Sequence, residues 1–122
     1  MDSRPLVSVV DDDESVRESL PDLLGMFGFA ARPFSSAEEF LASESLVHTR
    51  CLILDIGLPG LSGPELQREL TFRGLAIPII FITAQRDESV RPQLLQRGAI
   101  ECLFKPFSGQ DLRAALAAAL PG

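Results

Sequence analysis

Acidic residues, a threonine and a lysine stand directly after short apolar runs in this 122-residue chain; they are Asp11 with Asp12, Asp55, Thr83 and Lys105. Carboxylates that share one site repel one another and raise each other's pKa unless a cation lies among them. Mg²⁺ takes oxygen ligands and is commonly held by one or two carboxylates together with water and phosphate oxygens. We therefore expect Mg²⁺, or Mn²⁺ in its place, to bind Asp12 and Asp55 directly and Asp11 through water.

Asp55 is the residue on which a group-transfer reaction would centre. A bound cation and the ammonium group of Lys105 would compensate the charge of a phosphoryl group on two sides, and the Thr83 hydroxyl would hydrogen-bond a third oxygen. A carboxylate can act as a nucleophile and become an aspartyl phosphate. The residue types therefore predict phosphoryl transfer to Asp55.

Each of these residues is predicted to lie at the carboxyl end of a β-strand. Apolar and β-branched runs predict five strands, and helical periodicity with capping residues predicts a helix after each strand. The strands are expected at residues 6–10, 29–34, 51–54, 78–83 and 100–104, and the helices at 14–27, 36–42, 64–73, 87–97 and 109–120. This alternation predicts a parallel sheet with helices on both faces. Ligands of such sheets bind beyond the carboxyl ends of the strands, where all the polar residues would meet.

Two prolines fall inside predicted helices. Pro21 predicts a kink near residues 17–21 of the first helix, because proline removes a backbone hydrogen bond and clashes with the preceding turn. Pro92 predicts that the fourth helix is frayed, kinked or begins only near Arg91, since proline suits a first helical turn.

Composition excludes several classes of partner. The net charge is −6, and the basic clusters that bind duplex DNA or anionic membranes are missing. No apolar run approaches the roughly 20 residues of a membrane span, and the first residues lack the apolar core of a signal peptide. We therefore expect a cytoplasmic protein without direct nucleic acid or membrane binding. Cys51 and Cys102 are interpreted as buried, reduced hydrophobic residues.

The order of the motifs resembles that of receiver domains of bacterial two-component response regulators, which have the CheY-like, flavodoxin-like fold. The similarity is greatest to receivers of FixJ/LuxR-type transcription regulators, and it covers residues 6–120. Each motif is weak alone, but the four together, in order at strand ends, are specific. They are Val10-Asp11-Asp12, Asp55 with Leu58-Pro59 and Gly63, Thr83-Ala84, and Lys105-Pro106-Phe107. The resemblance implies the strand order 2-1-3-4-5.

The same resemblance implies roles for individual residues. Asp55 would accept the phosphoryl group of a sensor histidine kinase, and the domain would then switch conformation to control an output, here transcription. Mg²⁺ would be bound by Asp11, Asp12 and Asp55, with the backbone carbonyl of Gly57 as a further ligand. Thr83 would be the switch hydroxyl, Lys105 the phosphate partner, and Lys105-Pro106 a cis peptide.

The chain departs from the family pattern at three positions. Cys102 stands where receivers usually have an aromatic residue, three residues before the lysine. Pro92 lies in the helix that commonly carries the output surface. Gly57 offers no side chain that would shield a phosphoryl group on Asp55.

Residues 1–122 are predicted to form one receiver domain, with any output domain absent from this sequence. The alanine-rich last helix leaves apolar surface for a homodimer that forms on phosphorylation or for a docked domain, or it simply packs on the sheet.

An alternative from the enzyme class is a haloacid-dehalogenase-type Mg²⁺-dependent phosphatase, with Asp11 as nucleophile and Asp13 as acid. It leaves Asp55 without a role, and no acidic pair follows Lys105. A flavin-binding domain of the same fold would need a phosphate-binding loop after the first strand, where the acids of residues 11–14 would repel a phosphate.

Overall fold

The computed structural model describes residues 3–84 and 89–121 of the chain. Within these residues, five β-strands alternate with five α-helices, and a short 3₁₀-helix that we did not predict precedes the third strand. The strands are β1 (Leu6–Val10), β2 (Ala30–Phe34), β3 (Thr49–Asp55), β4 (Ile79–Thr83) and β5 (Glu101–Phe104). The helices are α1 (Glu14–Met26), α2 (Ala37–Leu41), α3 (Gly63–Phe72), α4 (Val90–Gln96) and α5 (Gly109–Ala119), and the 3₁₀-helix is Glu44–Val47.

The strands form one parallel sheet in the order β2-β1-β3-β4-β5, which confirms the predicted topology. The register of the parallel pairs places the carboxyl ends of the central strands side by side. Val10 at the end of β1 pairs with Leu54 of β3, and Asp55 pairs with Ile82 of β4. Asp11, Asp55 and Thr83 therefore follow one another across the same edge of the sheet.

Both faces of the sheet are covered by helices, because the strand residues are apolar on both sides. Along β3, Leu52 and Leu54 pack in a cluster with residues of α2, α3 and α4. Cys51 and Ile53 point to the other face and pack with residues of α1 and α5. The two cores fix β3 at the centre of the molecule and hold Asp55 at its end.

The structure bears differently on the two predictions that were made from helical prolines. Pro21 lies inside a helix that continues to Met26, so it does not end α1, and the kink stays a prediction. α4 begins at Val90, two residues before Pro92, in agreement with a start near Arg91. Residues 87 and 88 of the predicted fourth helix lie outside the described residues.

None of the helices in the described part of the chain is long and apolar enough to cross a membrane.

Candidate functional site

Three carboxylates meet at the carboxyl edge of the sheet. Asp11 follows β1 and is fully buried, Asp55 ends β3 and is 8% exposed, and Asp12 is exposed. One carboxylate oxygen of each residue lies within 4.8 Å of those of the other two. The structure therefore brings together the three carboxylates that the sequence predicted as metal ligands.

Lys105, the only lysine of the chain, projects into this group of acids from the end of β5. Its Nζ lies 2.8 Å from Asp11 Oδ2 and 3.9 Å from Asp55 Oδ2. Burial alone would lower the lysine pKa, but the hydrogen bond to Asp11 and the charges of Asp55, Asp11 and Asp13 outweigh it and raise the pKa. Lys105 is thus held in its charged form.

The Lys105-Pro106 peptide bond is cis, as the resemblance implied. The Lys105 backbone N–H donates to the Thr83 carbonyl at 2.8 Å, which ties the end of β5 to the end of β4. Thr83 is 3% exposed and stands one residue beyond Ile82, the partner of Asp55 in the sheet. The predicted hydroxyl and lysine are therefore on adjacent strand ends.

The carboxylate of Asp55 lies in an environment that disfavours its charge. Burial raises its pKa to about 6, and the negative charge of Asp11 adds to the increase. The charge of Lys105 and the hydrogen bond from the Gly57 N–H to Asp55 Oδ1, at 3.3 Å, act in the opposite direction. A cation beside Asp55 would stabilise the ionised form.

The hydrogen bonds of the acids fit the predicted division between direct and water-mediated ligands. Both oxygens of Asp11 already accept hydrogen bonds, Oδ1 from the Asp13 N–H at 2.9 Å and Oδ2 from Lys105. Among the described residues, none donates a hydrogen bond to the exposed carboxylate of Asp12. Three carboxylates against one ammonium also leave a net negative charge at the site. This oxygen donor set suits a hard divalent cation.

Two residues that support the site were not predicted from the sequence. Arg17 Nη1 donates to the Asp11 carbonyl at 3.0 Å. Glu38 of α2 accepts a hydrogen bond from the Leu61 N–H at 3.0 Å, and thereby fixes the loop between Asp55 and α3. The sequence carried only a weak signal for Glu38, which reads as an acid in the first turn of a helix.

Two glycines let this loop pack closely. Gly60 has a positive φ of 71°, and a Cβ atom there would lie 2.6 Å from Glu38 Oε2. A Cβ atom on Gly63 would lie 2.5 Å from the Asp55 carbonyl oxygen. Gly63 belongs to a motif that the sequence identified, and its role is to let α3 begin directly against the end of β3.

A doubly wound sheet with an acidic edge and a single lysine defines an α/β domain that can bind a cation and a phosphoryl group at the ends of its central strands. Comparison with known proteins gives the family. The profile described as "Response regulator receiver domain" matches residues 7–117, and the chain belongs to this family.

The chain is similar over most of its length to part of two longer curated proteins, one of them named as a transcriptional regulatory protein. Nodulation protein W of Bradyrhizobium diazoefficiens is 43% identical over 117 residues, which are 96% of this chain and 52% of that protein. Transcriptional regulatory protein TdiR of Thauera aromatica is 41% identical over 114 residues, with coverage of 93% and 50%. The chain thus spans about half the length of these curated relatives.

Solved structures agree with this assignment. The structure titled FixJ-N has a TM-score of 0.83 and 37% identity, and the match covers 94% of this chain and 92% of that one. The response regulator StyR has a TM-score of 0.86 and 45% identity, with coverage of 97% and 60%. The predicted receiver fold and phosphoacceptor signalling class are confirmed. The relatives are regulators rather than enzymes, and they give no support to the phosphatase alternative.

Proposed function

We propose that Asp55 accepts a phosphoryl group from a histidine kinase and that this modification switches the domain. The observation that carries the proposal is the position of Asp55, which is 8% exposed, within 4.8 Å of two further carboxylates and 3.9 Å from Lys105. Receiver domains of response regulators interact with histidine kinases, which supports that class of donor.

The chemical step exchanges one bond to phosphorus for another. An ionised Asp55 oxygen attacks the phosphorus of a phosphohistidine, the P–O bond forms, and the P–N bond breaks. The imidazole nitrogen of the kinase keeps the electron pair of the broken bond. Lys105 holds positive charge beside the incoming phosphoryl oxygens, and the Thr83 hydroxyl would donate a hydrogen bond to one of them.

The residues present fit Mg²⁺, or Mn²⁺ in its place. Asp12 and Asp55 would bind it directly, Asp11 through water, and the Gly57 carbonyl would be a further ligand. Such a cation supplies charge compensation for the phosphoryl oxygens and relieves the repulsion among the acids. This assignment is supported by the hydrogen bonds that both oxygens of Asp11 accept, and by the carboxylate of Asp12, to which no described residue donates one.

Residues 1–122 would act as one receiver domain in the cytoplasm, without binding nucleic acid or membrane itself. Several relatives are named as transcriptional regulators, which supports transcription as the output of a longer protein. A homodimer that forms on phosphorylation would be one route to that output.

The proposal is tested with a small phosphodonor, acetyl phosphate, in the presence of Mg²⁺. Intact-protein mass spectrometry should detect one added phosphoryl group on the wild-type chain and none on Asp55→Asn. Asp13→Asn is the matched control, because asparagine also caps a helix, and it should be labelled. Labelling of Asp55→Asn together with loss of labelling in Asp11→Asn would favour the phosphatase-type nucleophile instead.

A further inference from the structure

A cleft lies between the carboxyl-terminal ends of α3 and α4, and we call it the α3–α4 cleft. α3 begins against Asp55 and ends at Phe72. The cleft therefore lies near the amino-terminal ends of the strands, on the side of the sheet away from the carboxylates. Two adjoining cavities of about 320 Å³ each open there. Gln67, Thr71 and Arg97 line both cavities, so they form one continuous surface.

Gln67 is the feature of this cleft that the packing of the domain leaves unexplained. It is 5% exposed, and its Nε2 donates to the Arg97 carbonyl at a long distance of 3.3 Å. Its Oε1 is buried and accepts no hydrogen bond from any described residue. Buried amide oxygens are normally paired. Because Gln67 lines both cavities, a hydrogen-bond donor bound in the cleft would satisfy this oxygen.

Two arginines at the mouth of the cleft form no ion pair with the carboxylates that the structure describes. Arg68 and Arg97 are both exposed, and neither forms an ion pair with a described carboxylate. Arg73, one turn beyond Arg68, is different, since its Nε lies 2.7 Å from Glu69. Both guanidinium groups line the second cavity and bring two positive charges together on a chain of net charge −6. Hydrogen bonds lower the pKa of the Glu65 carboxyl, and the charge of Arg68, three residues later, contributes to this lowering.

The remaining walls of the cleft are apolar. Leu75, Ile77 and Pro78 line the first cavity and are only partly buried. Phe72 is 88% exposed beside Thr71, and it is the most exposed large apolar side chain among the described residues. A ligand of this cleft would cover apolar surface as well as pair with positive charge.

We propose that the α3–α4 cleft binds a short acidic segment of another protein. One carboxylate of the segment would pair with Arg68 and Arg97, an apolar side chain would pack against Leu75 and Ile77, and a peptide N–H would donate to Gln67 Oε1. Peptide chains offer all three groups within a few residues. Nucleic acid fits less well, because binding to its phosphates needs a cluster of basic residues, whereas this cleft offers two arginines beside apolar walls. This site is separate from Asp55 and does not depend on its phosphorylation.

The test uses ¹⁵N-labelled chain and the peptide acetyl-Glu-Asp-Leu-Phe-Asp-Glu-amide, with acetyl-Gln-Asn-Leu-Phe-Asn-Gln-amide as the neutral probe. The acidic peptide should cause saturable shifts of the Gln67 side-chain amide and of the backbone amides of Thr71, Leu75 and Gly98. The neutral peptide should bind at least about fivefold more weakly, as expected for loss of an exposed ion pair.

Matched variants test whether the peptide binds to the cleft itself rather than to positive charge elsewhere on the chain. Arg68→Ala or Arg97→Ala should each weaken binding of the acidic peptide about fivefold, while Arg73→Ala, with its own partner on the same helix, should not. Retained dispersion of the amide signals shows that each variant folds. Asp55→Asn should bind the peptide as the wild type does, so this result is independent of the phosphoacceptor.

Several outcomes would overturn the proposal. They are absence of saturable shifts at these amides, equal weakening by Arg73→Ala, and saturable binding of inorganic pyrophosphate but not of the peptide. The same shifts on raising the concentration of the chain alone would assign the cleft to a second copy instead.

Discussion

At the scale of single residues, the environment of Asp55 disfavours the charge of its carboxylate and so lowers the stability of the domain at neutral pH. Its side chain is buried beside Asp11, and both the burial and this neighbouring charge raise its pKa to about 6 from an ordinary value of 3.8. At neutral pH the residue is ionised in an environment that favours the neutral form. The proposed phosphoacceptor, which must be ionised to react, thus destabilises the domain as long as no cation or phosphoryl group compensates its charge.

Asp55→Asn should therefore stabilise the cation-free domain. The folded pKa lies above the unfolded one, so this group's contribution to stability is complete below pH 3.8 and is lost as the pH rises through about 6. In EDTA at pH 7.5 we expect the variant to have a free energy of unfolding higher by about 1–2 kcal/mol, and the difference should shrink by pH 4.5. Urea denaturation at the two pH values measures this. The exposed Asp22→Asn should change little, and a less stable Asp55→Asn at pH 7.5 would contradict the argument.

Cys51 permits a second test at the same scale. The residue is fully buried in β3, and burial raises the pKa of its thiol from 9.0 to about 12. Its contribution to stability is complete below pH 9 and is lost as the pH rises through about 12. Between pH 8 and pH 10 the wild type should lose about 1 kcal/mol more of its free energy of unfolding than Cys51→Val, which cannot ionise. Urea denaturation with a reductant present measures the slopes. Parallel slopes would contradict the argument, because they would mean that folding does not raise the pKa of this thiol.

At the scale of elements, the three central strands were predictable because their apolar residues are buried on both faces of the sheet. Each of these apolar runs ends at a polar residue. Every observed strand of the sheet begins and ends within two residues of its predicted position. The positions of the residues that follow these strands were predictable as well. Val10 pairs with Leu54, and the register of the parallel strands therefore places Asp11 beside Asp55. The 3₁₀-helix at Glu44–Val47 was not predictable, because four residues carry no periodic pattern. The contact of Glu38 with Leu61 joins residues 23 apart and depends on the loop conformation.

That contact predicts how the loop after Asp55 responds to mutation. Glu38→Ala removes the only described acceptor of the Leu61 N–H and should cost about 1 kcal/mol of unfolding free energy, whereas Glu38→Gln keeps an acceptor and should cost less. Gly60→Ala should cost more, because its φ is positive and its Cβ would displace the Glu38 carboxylate.

A double-mutant cycle between these positions isolates the contact. Gly60→Ala should be less damaging in the Glu38→Ala background than in the wild type, because only the backbone strain at Gly60 then remains. Thermal or urea unfolding of the four proteins gives the coupling free energy. Strict additivity would mean that Glu38 does not hold the loop.

At the scale of the whole molecule, the acidic edge couples cation binding to global stability. Three carboxylates from the ends of β1 and β3 lie within 4.8 Å of one another, and Lys105 from β5 compensates only part of their charge. The site is assembled only when these strands are in register. A cation that binds the folded chain and not the unfolded one therefore stabilises the entire sheet.

Millimolar Mg²⁺ should accordingly raise the melting temperature of the wild type. With a dissociation constant about tenfold below the Mg²⁺ concentration, the gain in unfolding free energy is about 1.4 kcal/mol. Asp12→Asn should abolish the response, because Asp12 contributes an exposed carboxylate that no described residue engages. Asp13→Asn should keep most of it, since Asp13 accepts hydrogen bonds from Ser15 as the N-cap of α1, and asparagine caps a helix equally well.

Differential scanning calorimetry in MgCl₂, compared with NaCl of equal ionic strength, separates specific cation binding from ionic screening. A melting temperature that rises equally in both salts would mean that the acids repel one another without forming a cation site.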